Sequence, residues 1–234
     1  MDRRDFMTAA LVAGTAGIRR GSASAAAAQE DVDSPLLPPP KYARVLFDGT
    51  SLAGWLSRKG GPVGWRLKDG YVEVVPTNGD IYTKETFTDF QLHVEFWVPL
   101  MPEAQGQARA NSGIYLQGLY EVQVLDSYGL DPGNNDCGAI YETAPPLRNA
   151  CRRPERWQSY DIAFRAPRFA PDGELLEKGR VTVFQNGILI HHAQEFAKPT
   201  RASMPLDPKK PGPVMLQDHG NPVRYRNLWI ITDS

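Results

Sequence analysis

The segment Leu216-Gln217-Asp218-His219-Gly220 sets a histidine two residues after a glutamine. Side chains alternate along an extended chain, so Gln217 and His219 would share one face. An imidazole there can exchange protons near neutral pH or ligate a divalent metal. A histidine hydrogen-bonded at a strand edge or turn fits the pattern too. Asp218 would point away, towards Arg224 or Arg226 as an ion pair. In Tyr120-Glu121-Val122-Gln123-Val124 the same alternation projects Glu121 and Gln123 from one face. A carboxylate beside an amide can act as a base or metal ligand with a hydrogen-bonding neighbour, or form ordinary cross-strand pairs. Glu95, two residues after His93, is a third carboxylate candidate.

These residues need strands to hold them, and period-two alternation supplies them. In QLHVEFWV, Leu92, Val94, Phe96 and Val98 oppose His93, Glu95 and Trp97. In NSGIYLQ, Ser112, Ile114 and Leu116 oppose Gly113, Tyr115 and Gln117; in YEVQVLD, Tyr120, Val122 and Val124 oppose Glu121, Gln123 and Leu125. Further strands are expected at YVEVV, SYDIAFR, RVTVFQ and RNLWIITD, with a hairpin turn at Asn186-Gly187. No long amphipathic helix is visible. Strands of this length in a chain of this size predict an all-β fold, an antiparallel two-sheet sandwich of jelly-roll type. The non-core face gathers His93, Glu95, Trp97, Tyr115, Gln117, Glu121 and Gln123. Rings with amides and carboxylates between them suit a sugar, whose C–H faces stack and whose hydroxyls take fixed partners.

Composition narrows the classes. With 26 Lys+Arg against 27 Asp+Glu, no basic surplus draws the chain to nucleic acid or anionic lipid. The 21 Gly and 20 Pro favour many short segments joined by turns. No HExxH, paired CxxC, GxGxxG, P-loop or GxSxG motif occurs, so zincin, dinucleotide, nucleotide-hydrolase and lipase readings have no local support. His191-His192 would face opposite sides of a strand and could not share an ion.

Residues 1–28 read as an export leader: a basic start, an apolar stretch from Phe6 to Ile18 too short to span a bilayer, Arg19-Arg20, then small residues with cleavage between Ala25 and Ala28. Arg3-Arg4 followed by Phe6 and Met7 resembles the twin-arginine signal. The mature domain is therefore expected outside the membrane, periplasmic or extracellular, with no stable membrane span. Residues 29–41 form a Pro-rich tether, and 42–234 a single domain. In an exported chain, Cys137 and Cys151 read as a disulfide that would stabilise by about 3 kcal/mol, or as two buried thiols. Asp126, Asp131 and Asp136 could hold calcium or form Asx turns.

LFDGTSLAGW, GWRLKDGYVEV, GDIYTKETFTDFQLHVEF, NSGIYLQ, YEVQVLD, CGAIYETAPP, ERWQSYDI, FQNGILI and VMLQDHGNPVRYRNLWI follow one another in an order that resembles the domain of unknown function 1080 family, the 3-keto-disaccharide hydrolase domain. LQDHG followed by VRYRN is the strongest local sign. The chain departs from the family's pattern at Gln117, where an Arg is usual, and at Gln158, where an Asn is usual. The resemblance implies a concanavalin-like jelly roll and an exported enzyme acting on glycosides with a ketone at carbon 3.

Such a ketone acidifies the hydrogen on carbon 2 and places the glycosidic oxygen β to the carbonyl. One base can then drive elimination, and water adds to the enone. The site requires a base, donors for the enolate oxygen, and an acid or metal at the leaving group. On this reading His219 is base or metal ligand, and Glu121 and Gln123 are base and ketone-binding amide. Tyr141, Trp97, Tyr115, Gln117, Gln217, Glu95, Arg224 and Arg226 bind substrate, the arginines by holding an enolate oxygen. Two alternatives stand beside it. One is a non-catalytic glycan-binding module. The other is ordinary glucan hydrolysis, which needs Glu95 and Glu121 facing each other about 5 to 9.5 Å apart.

Overall fold

The computed structural model describes residues 33–232. The leader read from residues 1–28, with its cleavage point, lies outside the described residues.

The strands, in chain order, are β1 (Arg44–Phe47), β2 (Trp55–Ser57), β3 (Arg66–Lys68), β4 (Tyr71–Glu73), β5 (Ile81–Thr83), β6 (Phe90–Trp97), β7 (Ser112–Leu116), β8 (Tyr120–Val124), β9 (Trp157–Arg165), β10 (Arg168–Phe169), β11 (Leu175–Glu177), β12 (Gly179–Gln185), β13 (Ile188–Phe196), β14 (Met215–Leu216) and β15 (Arg224–Thr232). Sheet A runs β13-β12-β9-β6-β15-β4-β3, with β1 also on β15; sheet B runs β2-β5-β14-β7-β8; β10 and β11 form a small ribbon. Every pairing is antiparallel. The two sheets stack as the expected jelly-roll sandwich. Among the described residues the one helical turn is a 3-10 turn at Gly106–Ala108, and no helix is long and apolar enough to cross a membrane.

The alternation read from sequence sets the two faces. Leu92, Val94 and Phe96 of β6 and Tyr160, Ile162 and Phe164 of β9 turn inward from sheet A to meet Ile114, Leu116, Val122, Val124 and Leu216 of sheet B. Burying each large apolar side chain contributes roughly 1.5–3 kcal/mol. Asn186 and Gly187 both adopt positive φ, 53° and 77°, the requirement of a two-residue turn that matches strand twist. Alternation fails where strands end. Leu125, one residue past β8, turns into the core at 1% exposure, and Gln117, one residue past β7, takes a φ of 53° and leaves the strand.

Two tyrosines of sheet A reach through the core to hold sheet B. Tyr225 OH donates to Ser112 Oγ at 2.6 Å, and Ser112 Oγ donates to the Gln217 carbonyl at 2.6 Å. Tyr160 OH donates to the Gln123 carbonyl at 2.7 Å. Each buried hydroxyl is thus satisfied, and each fixes the height of a strand that carries a candidate site residue.

The Pro-rich segment, expected as a tether, is docked where it is described. Trp157 N donates to Asp33 Oδ1 at 2.8 Å, Ser34 N to the Trp157 carbonyl at 2.9 Å, and Asn227 Nδ2 to the Leu37 carbonyl at 2.7 Å. The segment lies along the outer face of sheet A. Cys137 and Cys151 are two free buried thiols, not the bridge read from sequence. Gln185 Nε2 lies 3.5 Å and 3.4 Å from their sulfurs and serves both.

Candidate active site

The outer face of sheet B carries a buried hydrogen-bonded group. Antiparallel pairing sets Tyr115 of β7 opposite Glu121 of β8 and Gly113 opposite Gln123, while β14 pairs Met215 with Tyr115 on the other side. Glu121 Oε1 lies over Gly113, where an added Cβ would come within 2.2 Å of it. The missing side chain is the seat of the carboxyl, the meaning of a glycine inside a strand.

Tyr115 OH has three polar neighbours: Glu121 Oε2 at 2.8 Å, the Arg201 carbonyl at 3.0 Å and Gln217 Nε2 at 3.1 Å. The phenol has one proton to donate and room to accept two. The Arg201 carbonyl can only accept, and Gln217 Nε2 donates. If Glu121 were ionised, it and the Arg201 carbonyl would compete for one proton. If Glu121 carries its proton, it donates to Tyr115, Tyr115 donates to Arg201, and every partner is satisfied. Burial, assisted by the nearby charges of Asp80 and Glu142 and opposed by the Tyr115 hydrogen bond, pushes Glu121 up to about 8. Geometry and electrostatics agree on a neutral carboxyl at pH 7.

A strap formed by residues 197–206 covers this face. Glu121 N donates to Thr200 Oγ1 at 2.9 Å. Arg58, bound to Asp80 at 2.9 Å, also donates to the carbonyls of Ala202 and Ser203, both at 3.0 Å. A cavity of about 400 Å³ opens beside the strap, lined by Tyr141, Glu142, Thr200 and Arg201. Tyr141 is half-buried. Burial, with the charges of Glu142 and Glu121, raises its phenol, which donates to no other side chain among the described residues.

Other predicted residues of this face do different work. Gln123 Nε2 donates to Gln107 Oε1 at 3.0 Å and so braces a loop. It is not free to hold a ketone. Gln117 Nε2 lies 3.4 Å and 3.3 Å from the carbonyls of Phe87 and Lys210 and ties two loops together. Gln217 Oε1 is buried without a partner among the described residues. Asp218 does not pair with an arginine: its Oδ2 accepts from Gly79 N at 2.8 Å and its N donates to Asp80 Oδ1 at 2.9 Å. His219, next along the chain, is exposed and makes no side-chain hydrogen bond or ion pair among the described residues. The metal reading of His219 and Glu121 does not fit. No three His, Cys, Asp or Glu side chains gather for an ion among the described residues. Asp126 and Asp136 are spent on turns, accepting from Tyr128 N at 3.2 Å and Gly133 N at 2.8 Å.

Glu95, Trp97, Arg224 and Arg226 belong elsewhere. They project from the outer face of sheet A, with the core between them and Glu121. Arg226 Nε donates to Glu95 Oε2 at 2.6 Å while its guanidinium stacks on Trp157 at 4.1 Å. Arg224 pairs with Glu73 at 2.7 Å, not with Asp218, and lies over Trp97 at 4.0 Å. His93 sits between Asp161 at 2.7 Å and Glu95 at 3.5 Å. Burial lowers its pKa, but the two carboxylates outweigh this and raise it overall. The single sugar groove read from sequence is therefore two opposite faces. The arginines cannot reach an enolate held at Glu121, and glucan hydrolysis by Glu95 facing Glu121 is ruled out. His191 and His192 split as expected, His191 Nε2 lying 2.8 Å from the buried Gly138 carbonyl.

Sequence reasoning missed Gly113 as the carboxyl seat, although a glycine within NSGIY was a signal. It also missed Arg58, Asp80 and Thr200, which lie at the ends of short strands or in a loop and carry no periodic pattern.

The fold is an antiparallel two-sheet jelly-roll sandwich with a polar, hydrogen-bonded site on one outer face. The chain belongs to the 3-keto-alpha-glucoside-1,2-lyase-like domain family, whose profile matches residues 42–231. A crystal structure from Parabacteroides distasonis, provisionally assigned as a glycosyl hydrolase, is 41% identical, covers 86% of this chain and 90% of its own, and superposes with a TM-score of 0.78. A second from that organism, with the same provisional assignment, is 20% identical over 85% of this chain and 99% of its own, with a TM-score of 0.62, and shows the fold. No curated protein matches the chain.

Proposed function

We propose that the chain cleaves glycosides bearing a ketone at carbon 3, outside the membrane, at the Glu121 face of sheet B. The family and the strap-side cavity support a sugar substrate there, and the order of residues in the first 28 positions supports export. The observation that carries the mechanism is the neutral, buried Glu121 held by Tyr115, whose hydroxyl in turn accepts from Gln217. It revises the role read from sequence, since a carboxyl that keeps its proton at pH 7 is an acid before it is a base.

The exposed His219 imidazole takes the proton from carbon 2, and the electrons pass to the carbon 3 oxygen. Tyr141, with its free phenol at the cavity, donates to that oxygen. The enolate then reforms the ketone as the bond between carbon 1 and the glycosidic oxygen breaks. The bonding pair leaves with the oxygen, which receives the Glu121 proton. Water adds to carbon 1 of the enone, giving its proton to Glu121, and carbon 2 recovers the proton held on His219. The net reaction is hydrolysis, with both groups restored. Tyr115 and Gln217 act as positioning residues by fixing the Glu121 proton.

The test incubates the mature domain with 3-keto-glucosides and the unoxidised glucosides, with and without chelator, following aglycone release and enone absorbance. Release from the keto substrates alone, lost in Glu121→Gln and His219→Ala, is expected. Saturable binding of the keto substrates without release would overturn the proposal.

A further inference from the structure

The outer face of sheet A carries a groove that the chemistry at Glu121 does not use. Strand register builds it in two rows. One row crosses four strands as Phe184, Asp161, His93 and Trp229; the next crosses them as Thr182, Ala163, Gln91 and Ile231. Ala163, a single methyl among larger neighbours, is exposed and forms the floor. A cavity of about 170 Å³ bounded by Phe184, Asp161 and Trp229 adjoins one of about 400 Å³. The two share Gln91, Ala163 and Thr182, and together they reach the size of a ligand site.

The lining selects a class of ligand. Phe184 is 40% exposed and offers a ring face on one side of the groove. Trp229 forms the opposite wall, held in place by His93 stacked on it at 4.9 Å and 14°. Asp161 gives Oδ1 to His93 and keeps a side chain 40% exposed, leaving Oδ2 to accept. Thr182 Oγ1 accepts from Ala193 N at 2.9 Å, so its proton remains to be donated. Gln91 is exposed and offers both a donor and an acceptor. Rings alternating with hydroxyl-binding groups match the C–H faces and hydroxyls of a saccharide. The cations at the far end are already neutralised: Arg165 pairs with Glu177 at 2.6 Å and Arg180 with Glu195 at 3.3 Å. This argues against an anionic ligand. The groove runs across the strands on the face of the sheet, where backbone groups are already paired within the sheet and cannot pair with a peptide.

We infer that this groove is a second carbohydrate site, binding a short stretch of neutral oligosaccharide on the face opposite Glu121. It stands on the residues of sheet A and is independent of the reaction proposed above.

The test titrates the mature domain with cellohexaose, laminarihexaose, xylohexaose and maltohexaose, following heat and tryptophan fluorescence. Saturable binding of at least one hexasaccharide is expected. Phe184→Ala should weaken it about tenfold, and Ala163→Arg, which fills the floor, should abolish it. Both changes are at exposed positions, and thermal unfolding checks that each variant folds. Glu121→Gln should leave the affinity unchanged, which separates this site from the other. No saturable binding of any of the four, binding that survives both groove substitutions in folded protein, or binding lost in Glu121→Gln would overturn the inference.

Discussion

Replacing Glu121 by Gln should make the protein more stable at pH 8 and leave it nearly unchanged at pH 5. The carboxyl titrates near 8 in the folded chain, against a reference of 4.5. Between those values the folded state holds a proton that the unfolded state has released, so stability falls as pH rises. The slope is about 1.4 kcal/mol per pH unit. The cost is absent well below pH 4.5, on the order of 3 kcal/mol at pH 7, and on the order of 5 kcal/mol once pH passes 8. Glutamine has no such cost, and its amide can donate to Tyr115 as the neutral carboxyl does. Urea unfolding of both proteins at half-unit steps from pH 5 to 8.5 gives the difference curve, in which other titrating groups cancel. A difference that widens with pH at about that slope, then levels above 8, supports the neutral carboxyl. A constant difference would mean that Glu121 is ionised throughout, and the proton accounting at Tyr115 would be wrong.

Activity on keto substrates should fall about 10²- to 10⁴-fold in His219→Ala, in steady-state assays, while its melting temperature stays within a degree or two because the ring is exposed. Gly113→Ala should displace the Glu121 carboxyl, destabilise by about 1–3 kcal/mol in urea unfolding, and move the alkaline limb of the pH–rate profile. Arg226→Ala leaves a fully buried Glu95 without its cation and should cost about 3 kcal/mol or more in urea unfolding. Its kcat on keto substrates should be unchanged, since the pair lies across the core from Glu121. Cys137 and Cys151, both buried, should resist a thiol reagent in the folded, reduced protein and react together after denaturation.

Alternation made most of the fold legible. Each of QLHVEFWV, NSGIYLQ and YEVQVLD became a strand with the expected inner face, because burial of every second side chain leaves a period that survives in sequence. What period two cannot encode is the layer to which a strand belongs. His93, Glu95 and Trp97 on β6 look the same in sequence as Tyr115 and Glu121 on β7 and β8, and so two opposite faces merged into one groove. Glu121 could be picked out by type and position, but its protonation state depends on Tyr115, Arg201 and Gln217, which only the assembled sheet brings together. Gln117 and Leu125 left their expected faces for a local reason: each lies one residue beyond a strand end, where the pleat no longer dictates direction.

The docked segment at Asp33, Ser34 and Leu37 sets an orientation. Its bonds to Trp157, Asn186, Glu95 and Asn227 fix the point at which the chain enters the sandwich on the sheet A side. Anything joined ahead of Asp33, whether a lipid anchor, a carrier domain or a solid support, would therefore hold the molecule from behind. The cavity between Tyr141 and Thr200 would face the medium, and an N-terminal attachment should leave access to it clear where a link through the 197–206 strap would not.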